Sequence, residues 1–184
     1  MKRLLLFLSL ATLAQAAGAS CWAPVVAQSK VTFSASQAGE AMPGEFKSYD
    51  GSICLGDAGK DLVKVSVQTS SADSGLPELD DALRGPDFFD SSRWPQARFV
   101  SDAVKALGNG QYQVSGSLTI RDVTKPVSLV VTFVPAADGK SAKLSGAFSL
   151  KRLDYGVGRG QWADTQWVGD QVDLKFDVTL KPAT

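Results

Sequence analysis

Apolar and polar residues alternate one for one through most of this chain beyond residue 30. A period of two is the mark of strands that bury one face and wet the other. KVTFSAS puts Val31, Phe33 and Ala35 on one side. EFKSYDGSICL holds Phe46, Tyr49, Ile53 and Leu55 around Gly51, the pattern of a bent or bulged strand. LVKVSVQ aligns Val63, Val65 and Val67, and QARFVSDAV aligns Ala97, Phe99 and Ser101. In the second half QYQVSGSLTI aligns Tyr112, Val114, Gly116, Leu118 and Ile120, and KPVSLVVTFV aligns Val127, Leu129, Val131 and Phe133. AKLSGAFSL adds Leu144, Gly146, Phe148 and Leu150, and DQVDLKFDVTL adds Val172, Leu174, Phe176, Val178 and Leu180. Turn signals at LGNGQ, RDVTKP and AADGKS join the last four strands into an antiparallel meander. Only SGLPELDDALRG breaks the pattern, with Leu76, Leu79 and Leu83 at helical spacing and Asp73 or Ser74 as caps. One short helix is expected there, crossing between the third and fourth strands.

Eight one-faced strands have two economical solutions, a sandwich or a closed barrel without edges. The small inward residues Ala35, Ala97, Ser101, Gly116 and Gly146 share faces with Phe33, Phe99, Leu118 and Phe148. That mixture leaves room inside. The expectation is an all-β fold: an extended eight-stranded antiparallel barrel, lipocalin-like, with one short helix packed beside it and an elongated apolar cavity.

The chain begins MKRLLLFLSLATLAQAAGAS, two cations ahead of an apolar run and then small residues, which is a secretory signal peptide over residues 1–19. Cleavage after Ala16 is the alternative to cleavage after Ala19. Residues 20–184 then form one domain, delivered to the periplasm or secreted. The whole chain has 19 basic and 19 acidic residues; without Lys2 and Arg3 the balance is 17 against 19, a charge of about −2. No basic excess is available for nucleic acid or an anionic lipid surface. Two cysteines in an exported chain, Cys21 and Cys54, favour a disulfide, the rival reading being a lipidated Cys21 with Gly18 where such a signal wants an aliphatic residue. There is no histidine at all. Ser-His-Asp and Cys-His catalysis and the commonest metal ligand go with it, so no catalytic and no metal-binding residue is expected.

The segment LRGPDFFDSSRWPQARFVS gathers Phe88, Phe89, Trp94 and Phe99, and RLDYGVGRGQWADTQWVGD adds Tyr155, Trp162 and Trp167. Several of these rings lie outside the regular strands, where they can close one end of a barrel over an apolar bore. GVGRG has no helix after it and reads as a turn; Asp80, Asp81, Arg84 and Asp87 read as the wet face of the short helix; RDVTKP sits where a hairpin must turn.

SKVTFSAS, GEFKSYDGSI, LRGPDFFDSSRWPQARFVS, GSLTIRDVTKPVSL and RLDYGVG, in this order and spacing, make the chain resemble the YceI family of exported lipocalin-like proteins over nearly its whole length after the leader. Gln28 stands where that family often has a histidine, so no role of that histidine carries over. The resemblance implies a bore that holds a polyisoprenoid lipid, most naturally the tail of an isoprenoid quinone, with a membrane cytochrome b561-type protein as a partner and no resident cofactor. A small enzyme or stress-related scavenger acting on hydrophobic molecules, and a ligand-free structural barrel, are the alternatives. Lining residues are expected to be Phe33, Phe46, Ala97, Phe99, Gly116, Leu118, Ile120, Val131, Phe133 and Phe148, with Phe88, Phe89, Trp94 and Trp162 at one end.

Overall fold

Every alternating segment forms strand in the computed structural model, which describes residues 21–56 and 61–183, and one of them, EFKSYDGSICL, is divided between two strands. The expected signal peptide lies outside the described residues. The strands are β1 (Cys21–Pro24), β2 (Lys30–Gln37), β3 (Glu40–Phe46), β4 (Tyr49–Cys54), β5 (Leu62–Gln68), β6 (Ala72–Asp73), β7 (Gln96–Gly108), β8 (Gln111–Ile120), β9 (Val123–Pro135), β10 (Ala142–Lys151) and β11 (Gln171–Pro182). They form one sheet, closed on itself where β1 also pairs with β11. β1 and β2 follow one another along β11, and β3 and β4 follow one another along that pair, so the barrel wall has eight positions.

The wall breaks at Lys47–Ser48, between β3 and β4, rather than at Gly51. Gly51 marks a close approach instead, since a Cβ there would lie 2.7 Å from the Lys64 carbonyl oxygen. Along β11 every second residue from Val172 to Leu180 turns inward, as the alternation requires.

The helix α1 (Pro77–Arg84) starts on a proline whose missing N–H costs a first turn nothing. Neither Asp73 nor Ser74 caps it; the N-cap is Leu76. Ser74 instead donates its backbone N–H and its hydroxyl to Asp80 Oδ1, each at 2.7 Å, pinning the first turn to the segment before it. These bonds favour the ionised carboxylate and hold the Asp80 pKa below its ordinary value.

At the end that carries both chain termini of the barrel, Trp22, Phe133, Val114, Leu144, Val178 and Leu180 pack into a dense apolar plug. Phe133 meets Trp22 edge-on at 5.9 Å and Tyr112 at 6.4 Å. Cys21 and Cys54 are cross-strand partners there and form a disulfide. At a sequence separation of 33, the chain-entropy account gives about 3–4 kcal/mol of stabilisation. Reduction is therefore expected to lower Tm by several degrees while far-UV circular dichroism stays that of a β-barrel, because the plug packs on without the bridge.

Candidate functional site

Above the plug the barrel encloses a cavity of about 270 Å³. An apolar void of roughly 150 Å³ in a protein core already binds benzene, so this one is too large for a packing defect. Val31, Val65, Val67, Leu129, Leu174 and Phe176 contribute to its walls from strands all round the barrel. Asp50, Arg98 and Arg152 are the charged residues on its boundary, and each is engaged locally: Asp50 by the Gly51 N–H, Arg98 by Gln96, Arg152 by the backbone bonds described below. The Tyr49 hydroxyl is buried without a hydrogen bond of good geometry. Burial raises its pKa above that of an ordinary phenol, the nearby Ser29 hydroxyl working the other way.

The bore stays open because three of its rings lie against glycines. Phe33 faces Gly44 across β2 and β3, and Phe176 faces Gly146 across β11 and β10. A Cβ on Gly44 would fall 2.3 Å from the Phe33 ring, and one on Gly146 would fall 2.5 Å from Phe176. Phe99 sits in the same way beside Gly116, where a Cβ would also strike the Val100 carbonyl oxygen at 2.3 Å. Each glycine lets a ring lie flat on the wall instead of standing into the lumen.

The opposite end is covered by two loops. Residues 85–95 follow α1, and residues 152–170 join β10 to β11. Phe33, Phe46 and Phe89 make a continuous aromatic contact from the wall into the first loop, at 5.1 and 5.9 Å. Two buried arginines hold the loops. Arg121, at the tip of the β8–β9 hairpin with φ +55°, donates to the carbonyls of Pro86 and Phe88 and lies 3.7 Å from Asp90. Arg152 donates all five of its N–H groups to carbonyl oxygens of the second loop: Gly169, Val157, Gly158, Trp162 and Val168. Burial draws the pKa of both guanidinium groups below that of a free arginine, from a starting point so high that they remain charged. Gly158, at φ +79°, leaves space for Arg152: a Cβ there would sit 2.0 Å from its Nη1. The Asp87 carbonyl then accepts from the N–H groups of Gly158 and Arg159, tying the two loops together.

Of the residues expected to line the bore, Phe33, Phe46, Phe88, Phe89, Ala97, Phe99, Leu118, Ile120, Val131 and Phe148 border the cavity. Four do not. Phe133 belongs to the plug, and Gly116 gives its space to Phe99 and to the neighbouring backbone. Trp162 backs the cap, packed on Phe88 at 5.5 Å. Trp94 lies outside under the Arg93 guanidinium, with its carbonyl accepting from the buried Thr69 hydroxyl. The alternation does not single out Arg121 and Arg152. The one available signal is that each arginine stands beside glycine- and proline-rich loops full of carbonyls with no strand to bond.

A closed antiparallel barrel around an apolar central cavity defines the class, that of lipocalin-like barrels. The YceI-like domain model matches residues 22–180, and the chain belongs to the YceI family. A UPF0312 protein of Azotobacter vinelandii is 33% identical over 142 residues, covering 73% of this chain and 71% of that one. Protein YceI of Escherichia coli O157:H7 is 32% identical over 141 residues, with the same two coverages. Among solved structures, Burkholderia cenocepacia BcnA superposes with a TM-score of 0.78 at 32% identity, covering 88% of this chain and 99% of that one. A polyisoprenoid binding domain from Saccharophagus degradans, implicated in plant cell wall breakdown, shares the fold with a TM-score of 0.69 at 15% identity, covering 88% and 98%.

Proposed function

We propose that this protein binds a polyisoprenoid lipid, most naturally the tail of an isoprenoid quinone, in the periplasm or outside the cell. The observation that carries the reading is the apolar bore, whose charged boundary residues are all engaged elsewhere. The Saccharophagus degradans domain of the same fold, described as polyisoprenoid-binding, supports it, and the Cys21–Cys54 disulfide fits an oxidising compartment.

Burying a methylene contributes ~0.8 kcal/mol, so a five-carbon isoprene unit contributes roughly 3–4 kcal/mol. Association and ordering cost on the order of 4–15 kcal/mol. Four or more units in the bore thus suffice without a strong polar anchor, and selectivity follows tail length.

Native mass spectrometry of the purified protein is expected to find a co-purifying isoprenoid. In titrations a long-tailed quinone should bind and its tailless parent should bind poorly. Equal binding of the two would sink the reading.

A further inference from the structure

With a plug at one end and cross-bonded loops at the other, the wall itself is the next place to look for an exit. β10 pairs with β9 only from Ala142↔Pro135 to Gly146↔Val131. Beyond that point β9 stays paired with β8, and β10 with β11, but the two strands are not paired with each other. Residues 123–130 and 147–151 therefore face one another across an unzipped seam, each presenting backbone groups that no ladder satisfies. Pro126 belongs to this edge. A proline is tolerated in a strand where its missing N–H points away from the paired neighbour, here away from Ser117 and toward the seam.

At the seam lies a surface pocket bordered by Lys125, Ser149, Lys151, Asp154 and Gln171. Val127 and Leu150 border both this pocket and the bore, so two half-buried aliphatic side chains separate the polar exterior from the apolar interior. Lys125 Nζ lies 3.7 Å from Asp154 Oδ1, an ion pair that reaches across the seam. Lys151 makes no ion pair among the described residues. Two cations and one carboxylate border the pocket directly. Asp173, next to it on β11, accepts from the neutral donors Ser149 and Gln171, which favour its ionised form, so Lys151 is the one cation of the pocket border left to meet an anionic ligand.

We propose that the head group of a bore-bound lipid emerges through this β9–β10 seam and that Lys125 and Lys151 hold anionic oxygens on it, as a phosphate carries. The inference rests on the polyisoprenoid-binding reading above, keeps its tail in the bore, and commits to an anionic head in place of the neutral quinone. A ligand lying this way keeps its tail among the rings of the bore and its charge in water, with Val127 and Leu150 moved aside at the neck.

The test compares a polyprenol with the polyprenyl monophosphate of equal chain length, using the full-length mature protein and the variants Lys125→Glu/Lys151→Glu and Lys125→Gln/Lys151→Gln. Both lysines are surface residues, and matching melting curves would confirm that the variants fold. The unmodified protein is expected to prefer the phosphate by tenfold or more at low salt, with the preference shrinking as salt is added. The glutamine variant should bind the two alike, and the glutamate variant should prefer the alcohol. Alcohol affinity should stay within twofold throughout. A phosphate preference that survives both double substitutions would overturn the seam as the head-group site, as would no preference in the unmodified protein. If neither lipid binds the unmodified protein, the lipid-binding reading itself fails.

Discussion

Replacing Arg152 with lysine is expected to lower stability by about 3–5 kcal/mol, the size of loss seen when a buried, fully bonded charge loses its partners. For a chain of this length that corresponds to a Tm lower by roughly 6–20 °C. Lysine keeps the charge but offers three donors from a single point, against the five that reach Gly169, Val157, Gly158, Trp162 and Val168. At least two carbonyls are left buried without a donor. Arg152→Met should be as damaging, since it removes every donor at once. Amide exchange should quicken first in residues 152–170 and in the 85–95 loop bonded to them, before the plug end changes. A lysine variant as stable as the original would mean that the loops hold themselves.

The largest effect on binding is expected from Ala97→Trp. Ala97 borders the bore on β7, next to the apolar cluster that contains Leu118 and Phe88. An indole there occupies space that a ligand tail needs. Excluding one isoprene unit removes about 3–4 kcal/mol, so affinity for a long-tailed quinone should fall roughly 100- to 1,000-fold. The stability cost should be small if the void absorbs the ring, whereas overpacking a filled core typically costs ~1–3 kcal/mol. Gly116→Phe is the instructive contrast. Its Cβ would fall 2.7 Å from the Ser101 Cα and 2.3 Å from the Val100 carbonyl oxygen, so that change attacks the wall and not the lumen. Isothermal titration of Ala97→Trp beside its melting curve separates the two cases, and unchanged affinity in a folded variant would place the ligand elsewhere.

The eight wall positions and their inward faces were legible because alternation is enforced by the pleat itself: slip one residue and every side chain changes sides. β1 was not legible. CWAP is four residues long, ends in proline and owes its strand geometry to two partners far away in the chain. The same reason hid the work of the glycines. Gly44, Gly116 and Gly146 look like empty space in a string of residues, and only cross-strand register reveals that each is a seat for a ring. Nothing in the alternation marks Arg121 or Arg152, because the carbonyls that bury them come from loops folded over the barrel end. The β9–β10 seam left one trace, Pro126 in the middle of an otherwise regular strand.

The closure of the barrel also bears on how the chain reaches this state. The last pairing of the wall joins Trp22 to Pro182 and Ala23 to Lys181, residues from opposite ends of the polypeptide. The meander from β7 to β11 is built from neighbours and can form early, but a ring whose final joint spans nearly the whole sequence must wait for its most distant contact. Until then the half-closed sheet presents an apolar trough and two raw edges. A chaperone or a lipid that occupies the trough during that interval would meet the protein before it has an inside.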